Sequence, residues 1–165
     1  MRYDAGVAIP TPRFPSSLHL IKENIAMKVN TYLNFGGNCA EAFNFYEQHL
    51  GAKILNLMTQ GQMPPGGPPV APEMKNKVMH ARLAIGDTTV LASDVPTDRF
   101  QPIRSVYLCL HVESEAEAER IYGLLSEGGE IYMPLAETFF ATRFGQLRDR
   151  FGVSWMVIHE KPMGA

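Results

Sequence analysis

Tyr32-Leu33-Asn34-Phe35-Gly36-Gly37-Asn38-Cys39-Ala40-Glu41-Ala42-Phe43-Asn44-Phe45-Tyr46-Glu47-Gln48-His49-Leu50-Gly51-Ala52 is the stretch whose reading decides the fold. Val29–Phe35 alternates as a strand does, and Gly36-Gly37 breaks it. Asn38 followed three positions later by Glu41 reads as a capping box opening a helix. Ala42, Phe43, Tyr46 and Leu50 form one apolar stripe along that helix. Gly51 then stands where a helix C-terminus favours a left-handed residue.

Moving outward, residues 52–59 read as a second strand, and Pro64-Pro65-Gly66-Gly67-Pro68-Pro69 marks a long loop too rich in breakers for a regular element. Val78–Ile85, the Gly86-Asp87 turn and Thr88–Ser93 form a hairpin. The same order then recurs. Ser105–Val112 is a strand, Ser114 with Glu117 makes a second capping box, and Ile121, Tyr122, Leu124 and Leu125 are the stripe of a second helix stopped by Gly128. Glu130–Leu135 is the next strand, and Arg143–Arg150 with Val153–Glu160 form the last hairpin around Phe151-Gly152. Asn38 corresponds to Ser114, Gly51 to Gly128 and Ile54 to Ile131 at a nearly constant offset. Two capping boxes in equivalent places predict an α+β domain built from two tandem βαβββ modules, 29–94 and 105–160, forming a curled mixed sheet around a cavity.

At 165 residues the chain suffices for one domain with a sizeable core, expected over residues 29–160. Pro10, Pro12 and Pro15 crowd a stretch with no period, so residues 1–28 read as a disordered extension, with Met27 the expected translation start and 161–165 a tail. A net charge of −2 without any Lys/Arg run argues against nucleic acid or a membrane surface as partner. No apolar run approaches the ~20 residues that span a bilayer, and the N-terminus does not read as a signal peptide. Two cysteines far apart suit a reducing compartment, so the cytoplasm is the expected location.

The quoted stretch, together with His80-Ala81, Ile85-Gly86, Ser93-Asp94, Glu137-Thr138-Phe139-Phe140, Phe144-Gly145 and Asp149-Arg150-Phe151-Gly152-Val153-Ser154-Trp155, resembles the PhnB-like branch of the glyoxalase/bleomycin-resistance (vicinal oxygen chelate) superfamily. The branch usually has proline where Arg150 stands. The resemblance implies a cavity between curled sheets with helices outside, and a homodimer. It also implies that metal-dependent members place four ligands in the cavity. Here those positions fall on Asn30, on Leu91 or Ala92, on Tyr107 and on Met156. An amide, an aliphatic, a phenol and a thioether are not a divalent-cation set, so no metal and no cofactor are expected.

Candidate catalytic groups are Glu137, Asp94 and His80. His80 is a base or donor, or a strand-end histidine bonded to backbone. Asp94 binds a polar ligand group, acts as a base or caps the loop that follows. Glu137, an acid among Phe139 and Phe140, is expected to have a raised pKa suited to proton transfer, or else to anchor its loop. Phe139 and Phe140 are either ligand wall or core. Asn30, Tyr32, His80, Asp94, Tyr107, Glu137, Phe139, Phe140 and Met156 make up the expected ligand-binding set, with Met156 more suited to packing. Cys39, in the first turn of a helix where a thiolate is stabilised, reads as a buried small hydrophobe, and His111 and His159 as strand-end surface groups. The leading expectation is a protein that binds a small organic molecule in an aromatic-lined cavity. Its rivals are a metal-independent lyase or isomerase using Glu137, Asp94 or His80, and a metalloenzyme with non-standard ligands.

Overall fold

Two helices lie against two mixed sheets in the computed structural model, which describes residues 28–162. The expectations for the N-terminal extension, for Met27 as start and for residues 163–165 lie outside the described residues. The first unit runs β1 (Thr31–Phe35), α1 (Cys39–His49), β2 (Lys53–Thr59), β3 (Val78–Ile85) and β4 (Thr88–Asp94). The second runs β5 (Leu108–His111), α2 (Glu115–Ser126), β6 (Glu130–Ala136), β7 (Ala141–Arg148) and β8 (Ser154–Glu160). The strand orders β1-β4-β3-β2 and β5-β8-β7-β6 are the same order, so the second unit repeats the first. In each the first and last strands pair parallel, which the intervening helix makes possible, and the hairpins pair antiparallel.

Local signals explain most boundaries. Gly51 and Gly128 take φ +65° and +69°, the left-handed region that ends α1 and α2. The Ser114 hydroxyl accepts from the Glu117 amide at 3.1 Å, one half of the expected second capping box, while the Glu117 carboxylate accepts from Arg120 instead. Asn38 does not act in the same way: its side chain makes no cap hydrogen bond, and the first turn of α1 is served from β4 instead. The expected strand 105–112 is shorter, because Ser105 sits at φ 56° and delays extended backbone until Leu108. Residues 60–77 separate β2 from β3, whereas 137–140 suffice between β6 and β7; this is where the two repeats differ most. Two short 3₁₀ turns, Gln60–Gln62 and Pro72–Met74, flank the proline-rich stretch.

Strand periodicity decides the faces. Leu33, Phe35, Ala81, Leu83, Val90 and Ala92 are buried with the α1 stripe of Cys39, Ala42, Phe43 and Tyr46. In the second unit Leu147, Trp155 and Val157 are buried with Ala118, Ile121, Tyr122 and Leu125. Gly145 allows α2 to approach β7: a Cβ there would fall 2.6 Å from Tyr122 Cε2 and 3.0 Å from Leu135 Cα. The eight strands do not close into one shell. They form two separate four-stranded sheets, and one continuous apolar core joins the units through α1. Tyr46 meets Trp155 edge-on at 5.2 Å between ring centroids, and Phe45 meets Phe151 at 5.5 Å.

Candidate functional site

A cleft of about 900 Å³ lies between the units. Thr31, Val90 and the Ile85–Thr88 turn form its first wall, and residues Tyr107–Ser114 with Ile121 of α2 form the other. β1 and β5 are each the edge strand of their sheet, so the cleft opens where the sheets fail to pair. Trp155 lines it at the base, its indole N–H already donated to Asp149 at 2.8 Å.

Of the expected ligand-binding set, Tyr107 alone lines this cleft. Tyr32 and His80 lie together on the face of the first sheet that turns away from α1, their ring centroids 6.3 Å apart. Register places Leu91 between Tyr32 and Arg82 on that face, while its neighbour Ala92 is buried in the core. Asn30 donates to the Thr89 carbonyl at 3.0 Å. Met156 is half-buried in the second sheet, opposite Cys109 on one side and Gln146 on the other. Phe139 is 93% exposed and Phe140 stacks edge-on between Phe139 and Phe144, so neither is core.

Two of the acid–base candidates are placed differently from their expected settings. Asp94 is buried, and instead of capping the loop after it the carboxylate reaches back. Oδ1 accepts from the Gly37 and Cys39 amides, both at 3.0 Å, and Oδ2 from Val78 N at 2.8 Å. It therefore caps α1 and ties β3 to β4. Glu137 is not desolvated by its aromatic neighbours. Its side chain is 67% exposed and lies 2.7 Å from Lys161 Nζ, whose hydrogen bond and charge hold the carboxyl below its ordinary value. The expected upward shift is reversed because the acid is exposed and paired with Lys161.

The cysteines differ sharply. Cys39 is fully buried, and desolvation, reinforced by the Asp94 charge, pushes its thiol up to about 12, so the helix terminus does not yield a thiolate. Cys109 is exposed, with Sγ 3.6 Å from His111 Nε2, and His111 Nδ1 lies 3.4 Å from Glu160 Oε1. Cys109 and His111 both line the cleft. The sequence reading left His111 as a surface group. The signal for this cluster was the two-residue spacing, which places alternate residues of a strand on one face.

Asp149 was also missed as more than a turn residue. It is buried, with Oδ1 accepting from Phe151 N and Val153 N and Oδ2 from Tyr46 Oη and Trp155 Nε1. It closes the β7–β8 turn and holds the two units together. Burial, followed by the Asp149 charge, raises the Tyr46 phenol well above its ordinary value.

Residues 27–158 match the family described as 3-demethylubiquinone-9 3-methyltransferase. The chain belongs to that family. Protein YjdN of Escherichia coli (strain K12) is 30% identical over 138 residues, spanning 79% of this chain and 94% of its own length. Protein PA1353 of Pseudomonas aeruginosa superposes with a TM-score of 0.74 at 42% identity, covering 83% of this chain and all of that one (100%). The PhnB protein of Bacillus cereus superposes at 0.68 with 27% identity, over 81% of this chain and 99% of its own. The family is thus the PhnB-like branch of the glyoxalase/bleomycin-resistance superfamily, and its paired βαβββ units are the fold of this chain.

Metal-dependent members of that superfamily carry a divalent ion, and the donors at the corresponding positions here do not fit one. Asn30 is engaged with backbone, Leu91 is aliphatic, and Tyr107 and Met156 offer a phenol and a thioether. Among the described residues, no three His, Cys, Asp or Glu side chains are arranged to hold an ion.

Proposed function

We propose that this PhnB-like protein binds a small organic molecule in the cleft between its two units. The observation that carries the reading is the cleft itself: about 900 Å³ with Ile85, Leu108 and Leu110 on its apolar walls and Thr31, Thr88, Tyr107 and His111 among the polar groups that line it. A concavity in which polar groups converge between apolar walls is a usual form of ligand site, and this volume lies in the range of such sites. The methyltransferase description is not carried over to this chain. Each of its sheets holds one parallel pair among antiparallel ones, not the run of parallel strands on which dinucleotide cofactors seat.

The protein acts as a homodimer in this reading. Tyr32, Leu55, Ile131, Tyr132 and Met133 are exposed on the sheets, the last four on the edge strands β2 and β6. Exposed apolar edges favour association. Its place is the cytoplasm, a reading supported by the two free cysteines. Among the described residues no helix is long and apolar enough to cross a membrane.

The test uses Nile red, an uncharged aromatic fluorescent probe, with the full chain. Saturable binding that Tyr107→Ala weakens and Thr88→Trp, at an exposed position of the cleft wall, abolishes supports the cleft. Equal binding by all three proteins would falsify it. Sedimentation of the same samples reads the dimer, and a monomer at micromolar concentration overturns that part.

A further inference from the structure

We infer that Cys109, His111 and Glu160 form a reactive thiol site for soft electrophiles of the α,β-unsaturated carbonyl class. Three side chains from two strands fall in line. Cys109 and His111 share one face of β5, and Glu160 lies on β8, which pairs with β5 in parallel. Sγ is 3.6 Å from His111 Nε2, and His111 Nδ1 is 3.4 Å from Glu160 Oε1. A carboxylate beside Nδ1 favours the tautomer with hydrogen on that nitrogen, leaving Nε2 as acceptor toward the thiol. This is a nucleophile, a base and an orienting acid in sequence, the arrangement by which a weak nucleophile is activated.

The resting sulfur is a thiol rather than a thiolate, because desolvation and the Glu160 charge raise it. Reaction therefore requires the base. As Sγ attacks the β-carbon of the acceptor, the S–C bond forms and the C=C electron pair moves onto the carbonyl oxygen. The Sγ proton passes to His111 Nε2 and returns to the α-carbon as the enolate collapses. The product is a thioether on Cys109, and no oxidant or second reagent is needed. Tyr107 shares the Cys109 face of β5 and Met156 lies opposite Cys109 on β8, giving the body of such a molecule an apolar surface beside the sulfur. Asp87, Glu113 and Glu117 line the cleft, so anionic electrophiles are disfavoured. Cys39 has no part in this: it is fully buried.

This inference deepens the cleft reading by naming a ligand class, and the two fail separately. The full chain is treated with acrylamide, a slow α,β-unsaturated amide, and alkylation of each cysteine is followed by peptide mass spectrometry against glutathione at the same pH. Cys109 is expected to react at least about tenfold faster than glutathione, and His111→Gln to remove that advantage, since a positioned base contributes about 10²–10⁴-fold. Glu160→Gln is expected to slow the reaction less and to move the midpoint of its pH profile downward, because the charge that helps raise the Cys109 thiol is lost. A purely structural Glu160 would leave that midpoint in place. Far-UV circular dichroism checks folding; if His111→Gln fails to fold, the wild-type rate against glutathione decides alone. A Cys109 no faster than glutathione, or one indifferent to His111→Gln, overturns the thiol site while leaving probe binding in the cleft intact. Fast, His111-dependent alkylation without saturable probe binding overturns the cleft reading and keeps the thiol site.

Discussion

Tyr46 Oη donates to Asp149 Oδ2 at 2.6 Å, and this bond connects the helix of the first unit to the last turn of the second. Asp149 receives three further N–H groups, so one buried carboxylate organises a turn, an indole and a phenol from two modules. Its charge is tolerated because four donors replace the water it lost.

Asp149→Asn introduces an amide donor among groups that all donate. It is expected to cost about 2–3 kcal/mol, and Tyr46→Phe about 1–2 kcal/mol. Because both changes act on one network, the double variant should lose less than the sum. Urea denaturation of the four proteins checks this; strict additivity would mean that the two residues do not share a network.

Asp94 supports α1 from outside the helix. Asp94→Ala leaves the amides of Gly37, Cys39 and Val78 without their acceptor, two of them buried with the carboxylate. A loss of about 3 kcal/mol is expected, larger than for an ordinary cap. Asn38→Ala should change stability little, since the Asn38 side chain makes no cap bond. Thermal melts of the two variants distinguish them.

Alkaline pH should weaken the fold through Cys39. Its thiol is raised from 9.0 to about 12, so the folded state holds a proton that the unfolded state releases. The stabilisation is complete below the unfolded value and is lost as pH rises toward the folded one, at up to about 1.4 kcal/mol per pH unit. Tyr46 acts with the same sign. Urea midpoints measured across the alkaline range should fall less steeply for Cys39→Ala.

Gly145→Ala places a methyl against Tyr122 and the Leu135 backbone. Overpacking of about 1–3 kcal/mol is expected. Adding Tyr122→Leu should recover part of it, but not all, because Leu135 Cα remains in the way. Denaturation midpoints of the single and double variants read the recovery.

Glu137→Gln should leave thermal stability unchanged at moderate salt, because the Lys161 pair is exposed and screened. The carboxyl is lowered in the folded state, so whatever the pair contributes is present above the unfolded value and fades as pH falls through the folded one. Melts at low and high salt, on both sides of that transition, check it.

Local chemistry alone determined the repeated order of strands and helices. Gly51 and Gly128 end helices because they accept left-handed backbone, and alternation along β3 and β7 sorts core from surface. These signals act within a few residues, so they are legible in a linear text. What tertiary structure decided lies between residues far apart. Asp94 binds Cys39 across 55 positions and Asp149 binds Tyr46 across 103. The environment of Glu137 followed from the approach of Lys161, not from its adjacency to Phe139 and Phe140. Cys109 and His111 could be placed on one face from spacing, but Glu160 joins them only through the parallel pairing of β5 with β8. A carboxylate's partners, and hence its role, depend on register and docking, and those emerge only when the whole core closes.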